Sequence, residues 1–283
     1  MSRLRGNCRT KGKFHFTYPT LEWEALSGNG TQAGYGATWT MSSAYVPRIV
    51  MVACTEPNSP ATAPGVALAR GTQILSVDGV DLVNDATPAG VNVLNAGLFP
   101  ASAGEPHTFV VRDLGASGTR SITLVSGNVI STPVQGVGTL SAGQVGYMLF
   151  NDHIASAETQ LIRAISQLKA AKVTDLIIDM RYNGDGYLDV ASELAYMVAG
   201  PQQTAGKTFE LLTFNDKHKT MDPVTLTPIA PMDFHATAMG YSTMAGTPLP
   251  YLGLTRVFVL TGADTCCSVS WVLGGRRFCA RIG

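Results

Sequence analysis

The stretch Thr174-Asp175-Leu176-Ile177-Ile178-Asp179-Met180-Arg181-Tyr182-Asn183-Gly184-Asp185-Gly186-Tyr187-Leu188-Asp189 sets an apolar run, a charged pair and a glycine-bracketed turn directly before a helical pattern. Leu176, Ile177 and Ile178 are too continuously apolar for a half-exposed strand. They read as a strand covered on both faces, as in a sheet sandwiched by helices. The carboxyl end of such a strand is where open α/β sheets place ligands and chemistry. Gly184 and Gly186 permit positive φ and let backbone N–H groups face outward, which suits the loop to an anion or a developing oxyanion. An ordinary β-to-α turn uses glycine in the same way. Asp179 and Arg181 flank Met180 and therefore point to one side of the strand, where a structural ion pair with neighbouring elements is expected.

The surrounding segments extend this pattern. Val145 to Phe150 and Leu176 to Met180 read as strands, and Leu188 to Val198 as a helix. Ala157, Leu161, Ile165 and Leu168 give helical spacing between Ala155 and Ala171. The order β-α-β-α predicts a parallel sheet with crossover helices. Residues 201 to 253, rich in proline, threonine and methionine, read as an insertion or lid with few regular elements. Arg256 to Leu260 is another apolar strand, running into Thr261-Gly262-Ala263-Asp264-Thr265 and then Cys266-Cys267-Ser268-Val269-Ser270. A hydroxyl or thiol at the start of the following helix would gain from the helix dipole, so Ser268, Ser270 and Cys267 are candidate nucleophiles. Helix capping by Thr265 or a serine is the plainer use of the same residues. Two such turns in one parallel sheet would converge at its carboxyl edge.

Upstream the pattern changes. Tyr35 to Met41, Arg48 to Cys54, Gln73 to Val77, Thr108 to Arg112 and Ser121 to Val125 are short β-branched runs between turn signals, with a tight turn at Asp78-Gly79 and one helix within 86 to 99. Gly34-Tyr35-Gly36-Ala37 is a glycine loop opening a strand, of the kind whose amides receive a peptide carboxylate. Gly127 to Leu140 reads as a linker or an exposed hairpin, and residues 1 to 30 as a short extension.

Composition narrows the classes. The 283 residues are 45% hydrophobic and 14% charged with zero formal net charge, which suits a globular protein and gives no electrostatic basis for nucleic-acid or membrane binding. Cys8, Cys54, Cys266, Cys267 and Cys279 show no Cys-x-x-Cys spacing, and the five histidines, His15, His107, His153, His218 and His235, show no metal spacing. Each histidine reads as a surface or satisfied structural residue, and no metal site is expected. The basic start has no apolar run behind it, so a signal peptide is not expected from it, and the sequence given has no apolar run long enough to span a bilayer.

The ordered set of motifs resembles the S41 serine peptidases, the tail-specific or C-terminal processing peptidases with an embedded PDZ domain. Gly34-Tyr35-Gly36 resembles the PDZ carboxylate loop, and Gly71-Thr72-Gln73-Ile74-Leu75-Ser76-Val77-Asp78-Gly79 the segment that follows it. Val145-Gly146-Tyr147 resembles the family's Gly-Tyr-Ile strand. Asp179-Met180-Arg181-Tyr182-Asn183-Gly184-Asp185-Gly186 resembles its Asp-Leu-Arg-x-Asn-x-Gly-Gly motif, and Val257 to Ser270 its nucleophile strand and turn. The resemblance implies a mixed α+β and α/β chain: an extension (1–30), a PDZ-like β-rich domain (31–127) and an incomplete ClpP/crotonase-like mixed α/β peptidase core (134–283).

It further implies cleavage of peptide bonds by a Ser-Lys pair without a cofactor, in proteins recognised by unstructured C-terminal tails. Ser268 maps to the nucleophile by motif spelling, Cys267 by spacing from Thr265, and Ser268 is preferred. Amides near Gly184, Asp185 and Gly186 would form the oxyanion hole, and Gly34, Tyr35, Gly36 and Ala37 the tail-binding loop. Asp185 stands where the family has glycine, an unfavourable carboxylate beside an oxyanion unless it turns to solvent. The family's lysine lies beyond the serine by more than the residues before Gly283, so a fragment that cannot cleave alone is expected, with a cell-envelope location in the full-length protein. The alternatives are a non-catalytic PDZ peptide-binding protein of the same fold and a crotonase-like acyl-transfer enzyme. The PDZ-like segment and the serine cluster argue against the latter.

Overall fold

Alternation of apolar and polar residues builds a sheet in the first part of the chain. In β6 (Pro106–Arg112) Phe109 and Val111 are buried, and in β7 (Arg120–Val125) Ile122 and Leu124 are, which is the period of two that a one-sided sheet requires. The computed structural model describes residues 20, 24–43, 45–184, 186–262 and 265. It divides into two compact units, 1–132 and 133–283.

In the first unit β2 (Ala37–Met41), β3 (Val50–Thr55) and β4 (Gln73–Val77) join β6 and β7 in the order β2-β3-β4-β6-β7, and β5 (Val80–Asp81) pairs with β4. Asp78 and Gly79 link β4 to β5 with φ of 48° and 79°, two left-handed positions that explain the Asp-Gly pair. Helix α1 (Pro88–Leu98) starts with proline and is capped by Thr87, whose side chain accepts from Gly90 N at 3.1 Å. Leu94 and Leu98 seat it on a core of Ile74, Val77, Phe109 and Val111. Gly97 permits that seating, because a Cβ there would lie 2.2 Å from Val77 Cγ1. Strand β1 (Thr31–Gly34) pairs antiparallel with β8 (Gly127–Ile130), Thr31 opposite Ile130.

The second unit carries the sheet order β14-β11-β10-β9, with β9 (Val134–Leu140) antiparallel to β10 (Val145–Phe150), and β10, β11 (Asp175–Asp179) and β14 (Phe258–Leu260) mutually parallel. Helix α2 (Ala157–Ala170) crosses over from β10 to β11 and buries Ala157, Leu161, Ala164, Ile165 and Leu168. Gly146 lets it approach, since a Cβ there would sit 3.1 Å from Leu168 Cδ2 and 3.2 Å from Leu176 Cδ1. Helix α3 (Leu188–Ala199) follows the loop after β11 and is buried on almost every side.

Three sequence expectations change. Gly127 to Leu140 is neither linker nor hairpin: β8 returns to the first unit and β9 enters the sheet of the second. Leu176 and Ile178 are fully buried, but Ile177 on the opposite face is half-buried, so β11 is not evenly covered. The 201–253 stretch is irregular as expected, yet its later part is packed cover: Ala238 and Leu249 enter the core, and Leu252 N and Leu254 N donate to Met197 O and Val198 O at the end of α3. Its earlier part is exposed, with Leu211, Leu212, Val224 and Leu226 facing solvent.

Candidate active site

Asp179 closes β11 with a carboxylate that no solvent reaches. It accepts from Arg181 Nε at 2.9 Å and Nη2 at 2.6 Å, and from the Tyr147 hydroxyl on neighbouring β10 at 3.1 Å. Burial alone would raise its pKa, but the Arg181 hydrogen bonds and charge outweigh burial and hold it below the ordinary carboxylate range. The ion pair differs from the sequence expectation in its partners: it forms between the two flanking residues themselves, not with neighbouring elements, as a bidentate fork across Met180.

Beyond Met180 the loop is fixed by Asn183, which is fully buried. Its Nδ2 donates to Phe150 O at 3.1 Å, its Oδ1 meets His153 Nδ1 at 2.8 Å, and its backbone N–H reaches Met180 O at 3.1 Å. The end of β10 and the loop after β11 are thereby clamped together. Gly186 continues the clamp through a parallel bridge to His153, followed by Tyr187 N donating to His153 O at 2.7 Å. Its φ of +144° excludes other residues, and an added Cβ would lie 2.4 Å from His153 O. Gly184 differs from the sequence expectation: it is not among the positive-φ glycines, and the space beside it is open.

The turn after β14 meets this loop. Met180 N donates to Leu260 O at 2.9 Å, and a Cβ on Gly262 would be 3.2 Å from Arg181 O, so the two strand-to-loop exits run in contact. The Thr265 hydroxyl donates to Met180 O at 2.9 Å and accepts from Gly262 N at 2.8 Å. Thr265 thus braces one turn on the other. Of the sequence candidates, Gly184 and Gly186 lie in the loop after β11, whereas Asp185, Cys266, Cys267, Ser268 and Ser270 lie outside the described residues. Asn183 and His153 were not singled out from sequence as positioning groups. The signal was present in Asn183, a polar side chain directly after the buried strand in the quoted motif.

In the first unit Gly34 ends β1 and Ala37 begins β2, so the turn between them is Tyr35 and Gly36, and β2 is the edge of its sheet. Gly36 has φ of +72° and a Cβ there would collide with Ser59 Cβ at 2.3 Å. Tyr35 is buried, donates its hydroxyl to Gly97 O at 2.9 Å, and meets Phe109 edge-on with centroids 5.6 Å apart. Four residues on, Trp39 Nε1 donates to Leu98 O at 3.0 Å. These bonds tie the start of β2 to the end of α1 and leave the other edge of β2 without a paired strand among the described residues. No group of His, Cys, Asp and Glu among the described residues could hold a metal ion, and no described helix is long and apolar enough to cross a membrane.

No family model matches the chain. A carboxyl-terminal-processing protease from Picosynechococcus sp. is 24% identical over 197 residues, covering 67% of this chain and 44% of the relative. The chain therefore spans less than half the length of that curated relative. Among solved structures, one described as an S41 protease from Bacteroides fragilis aligns with a TM-score of 0.56 and 20% identity over 96% of this chain and 70% of its own. A photosystem II D1 C-terminal processing protease aligns with a TM-score of 0.47 and 19% identity over 88% of this chain and 58% of its own. The chain has the fold of the Bacteroides protein, a β-rich PDZ-like unit followed by a mixed α/β core.

Proposed function

We propose that this chain, which has the S41 protease fold and is similar in sequence to a carboxyl-terminal-processing protease, is part of a serine peptidase acting on proteins that present an unstructured C-terminal tail. The observation that carries the reading is the contact between the turns after β11 and β14: Thr265 Oγ1 on Met180 O, with Gly262 against Arg181. An acyl-transfer site needs a nucleophile and amide donors held within a few ångströms of one carbonyl carbon. Adjacent parallel strands whose exits are bonded together supply that separation.

In this proposal Ser268 is the nucleophile and a lysine takes its proton, as the family resemblance implies. Amides of the Gly184 to Gly186 loop stabilise the oxyanion, and the Asp179–Arg181 fork with the Asn183 clamp holds that loop in place before substrate arrives. The tail pairs with the open edge of β2, its carboxylate received by the amides of Gly34, Tyr35, Gly36 and Ala37. The proposed division is a PDZ-like domain over 31–127 and a peptidase core over 134–283, and the proposed location is the cell envelope.

The test uses the full-length protein, a fluorophosphonate probe and a substrate with an unstructured apolar tail. Labelling that maps to Ser268 and disappears in Ser268→Ala, together with loss of tail-substrate degradation, is expected. Labelling retained in Ser268→Ala but lost in Cys267→Ala would move the nucleophile to Cys267. A Ser268→Ala protein that degrades the substrate as fast as wild type would overturn the assignment. Tail binding with no probe reaction and no degradation would favour the non-catalytic binding protein.

A further inference from the structure

Two glutamates that the proposed peptide chemistry does not use are fully buried together in the second unit: Glu158 in the first turn of α2 and Glu193 in the middle of α3. Neither meets a lysine or arginine among the described residues. Apart from each other, their partners are the backbone amides of one irregular segment, 239–243, that crosses both helices. Glu193 Oε1 accepts from Met239 N at 2.8 Å, and Glu158 accepts from Gly240 N, Ser242 N and Thr243 N at 2.9, 2.7 and 2.6 Å. Ser242 adds a reciprocal lock on the start of α2, its hydroxyl donating to Ala155 O at 2.9 Å and its carbonyl accepting from Thr159 Oγ1 at 2.6 Å. Four amides of a strap without regular structure are therefore satisfied by two acid side chains.

The two acids differ in what they are given. Glu158 has three amide donors, a cradle that suits a carboxylate; burial opposes its charge, and the amides outweigh burial, leaving its pKa lowered. Glu193 has one donor for Oε1, while Oε2 is buried with no hydrogen bond of ordinary geometry. Burial first, then the charges of Glu158 and Asp189, push it up to about 8. The groups facing the pair are Asp189, one turn earlier on α3, Tyr241 on the strap and His235 just before it. The latter two are bonded to Asp189, at 2.6 and 2.8 Å. Near neutral pH the pair accordingly carries one proton, on Glu193, and removing it places two carboxylates side by side out of water.

We propose that Glu158 and Glu193 form a one-proton latch that holds the 239–243 strap against α2 and α3, and that loss of this proton releases the strap. The device reaches the candidate site, because Tyr241 of the strap stacks on Tyr187 at the end of the 181–187 loop with ring centroids 4.6 Å apart. It does not depend on the chain being a peptidase. The direction follows from the raised group: a Glu protonated in the folded state stabilises below its unfolded pKa, and that contribution falls as pH rises through the folded value near 8.

Hydrogen exchange of peptides covering 239–243 in the full chain, corrected for intrinsic base catalysis, tests this between about pH 6.5 and about pH 9.5. Wild-type protection should fall tenfold or more across that range while α2 stays protected. Glu193→Gln, which keeps the shape and cannot lose a proton, should hold its protection constant. Constant protection in wild type would show that no proton governs the strap, and a parallel fall in Glu193→Gln would place the titration in another group; either result overturns the latch. If Glu193→Gln does not fold, wild type alone decides: the infrared carbonyl band of a protonated buried carboxyl must be present at neutral pH and vanish as the strap opens. Its absence at neutral pH refutes the proposal.

Discussion

Asn183 shows how much of the candidate site rests on one side chain. Its amide is satisfied on both ends, by Phe150 O and His153 Nδ1, with no solvent to replace either bond. Asn183→Ala strands a buried carbonyl and a ring nitrogen, and should cost about 2–4 kcal/mol in urea unfolding. A loss within about 0.5 kcal/mol would mean that the clamp is not carrying the loop. Asp179 gives a separate acid-side expectation. Its pKa is lowered, so its stabilisation is complete above the ordinary carboxylate range and is lost as pH falls through the lowered value. Asp179→Asn should flatten the acid limb of the stability curve and leave the alkaline limb, where Glu193 titrates, unchanged. An acid limb as steep as that of wild type would assign acid sensitivity to other carboxylates.

Helix α2 places five buried apolar residues along one stripe, and its packing can be measured by contrast. Leu161 is fully enclosed, so Leu161→Ala should cost about 2–5 kcal/mol, whereas Gln167→Ala on the exposed face should stay within about 0.5 kcal/mol. Equal costs would mean that the helix is not seated on the sheet as described. This stripe was readable in advance, because Ala157, Leu161, Ile165 and Leu168 share a face at 3.6-residue spacing. The β-branched runs of the first unit and the β-α-β-α order were equally plain, since alternation and crossover are local patterns. The acid latch was not: Glu158 and Glu193 occupy helical positions where charge ordinarily means solvent, and the amides that reverse this come from residues 239–243, distant in sequence. Strand β8 was misread for a related reason, since its partner β1 is almost a hundred residues away in sequence. In β9 two glycines among seven residues weaken the local strand pattern, although its partner β10 follows directly.

At the scale of the chain, the first unit draws its own ends together. Strand β1 enters the unit and β8 leaves it, and the two pair residue for residue from Thr31 opposite Ile130 to Gly34 opposite Gly127, burying Val129. The five-strand path and α1 have their own core of Ile74, Val77, Leu94, Phe109 and Val111. A unit with its own core and adjoining ends satisfies the physical conditions for independent folding. Residues 1–132 expressed alone should therefore unfold in one cooperative urea transition. Ending the chain at Ser126 removes β8, leaves the β1 backbone without its ladder and strips Val129 from the core side. That shorter piece should unfold at a distinctly lower urea midpoint, with the loss of protection concentrated at Thr31 to Gly34. Equal midpoints for the two pieces would show that the β1–β8 ribbon is only an appendage, and that the boundary of the folding unit lies at the end of β7 rather than at Thr132.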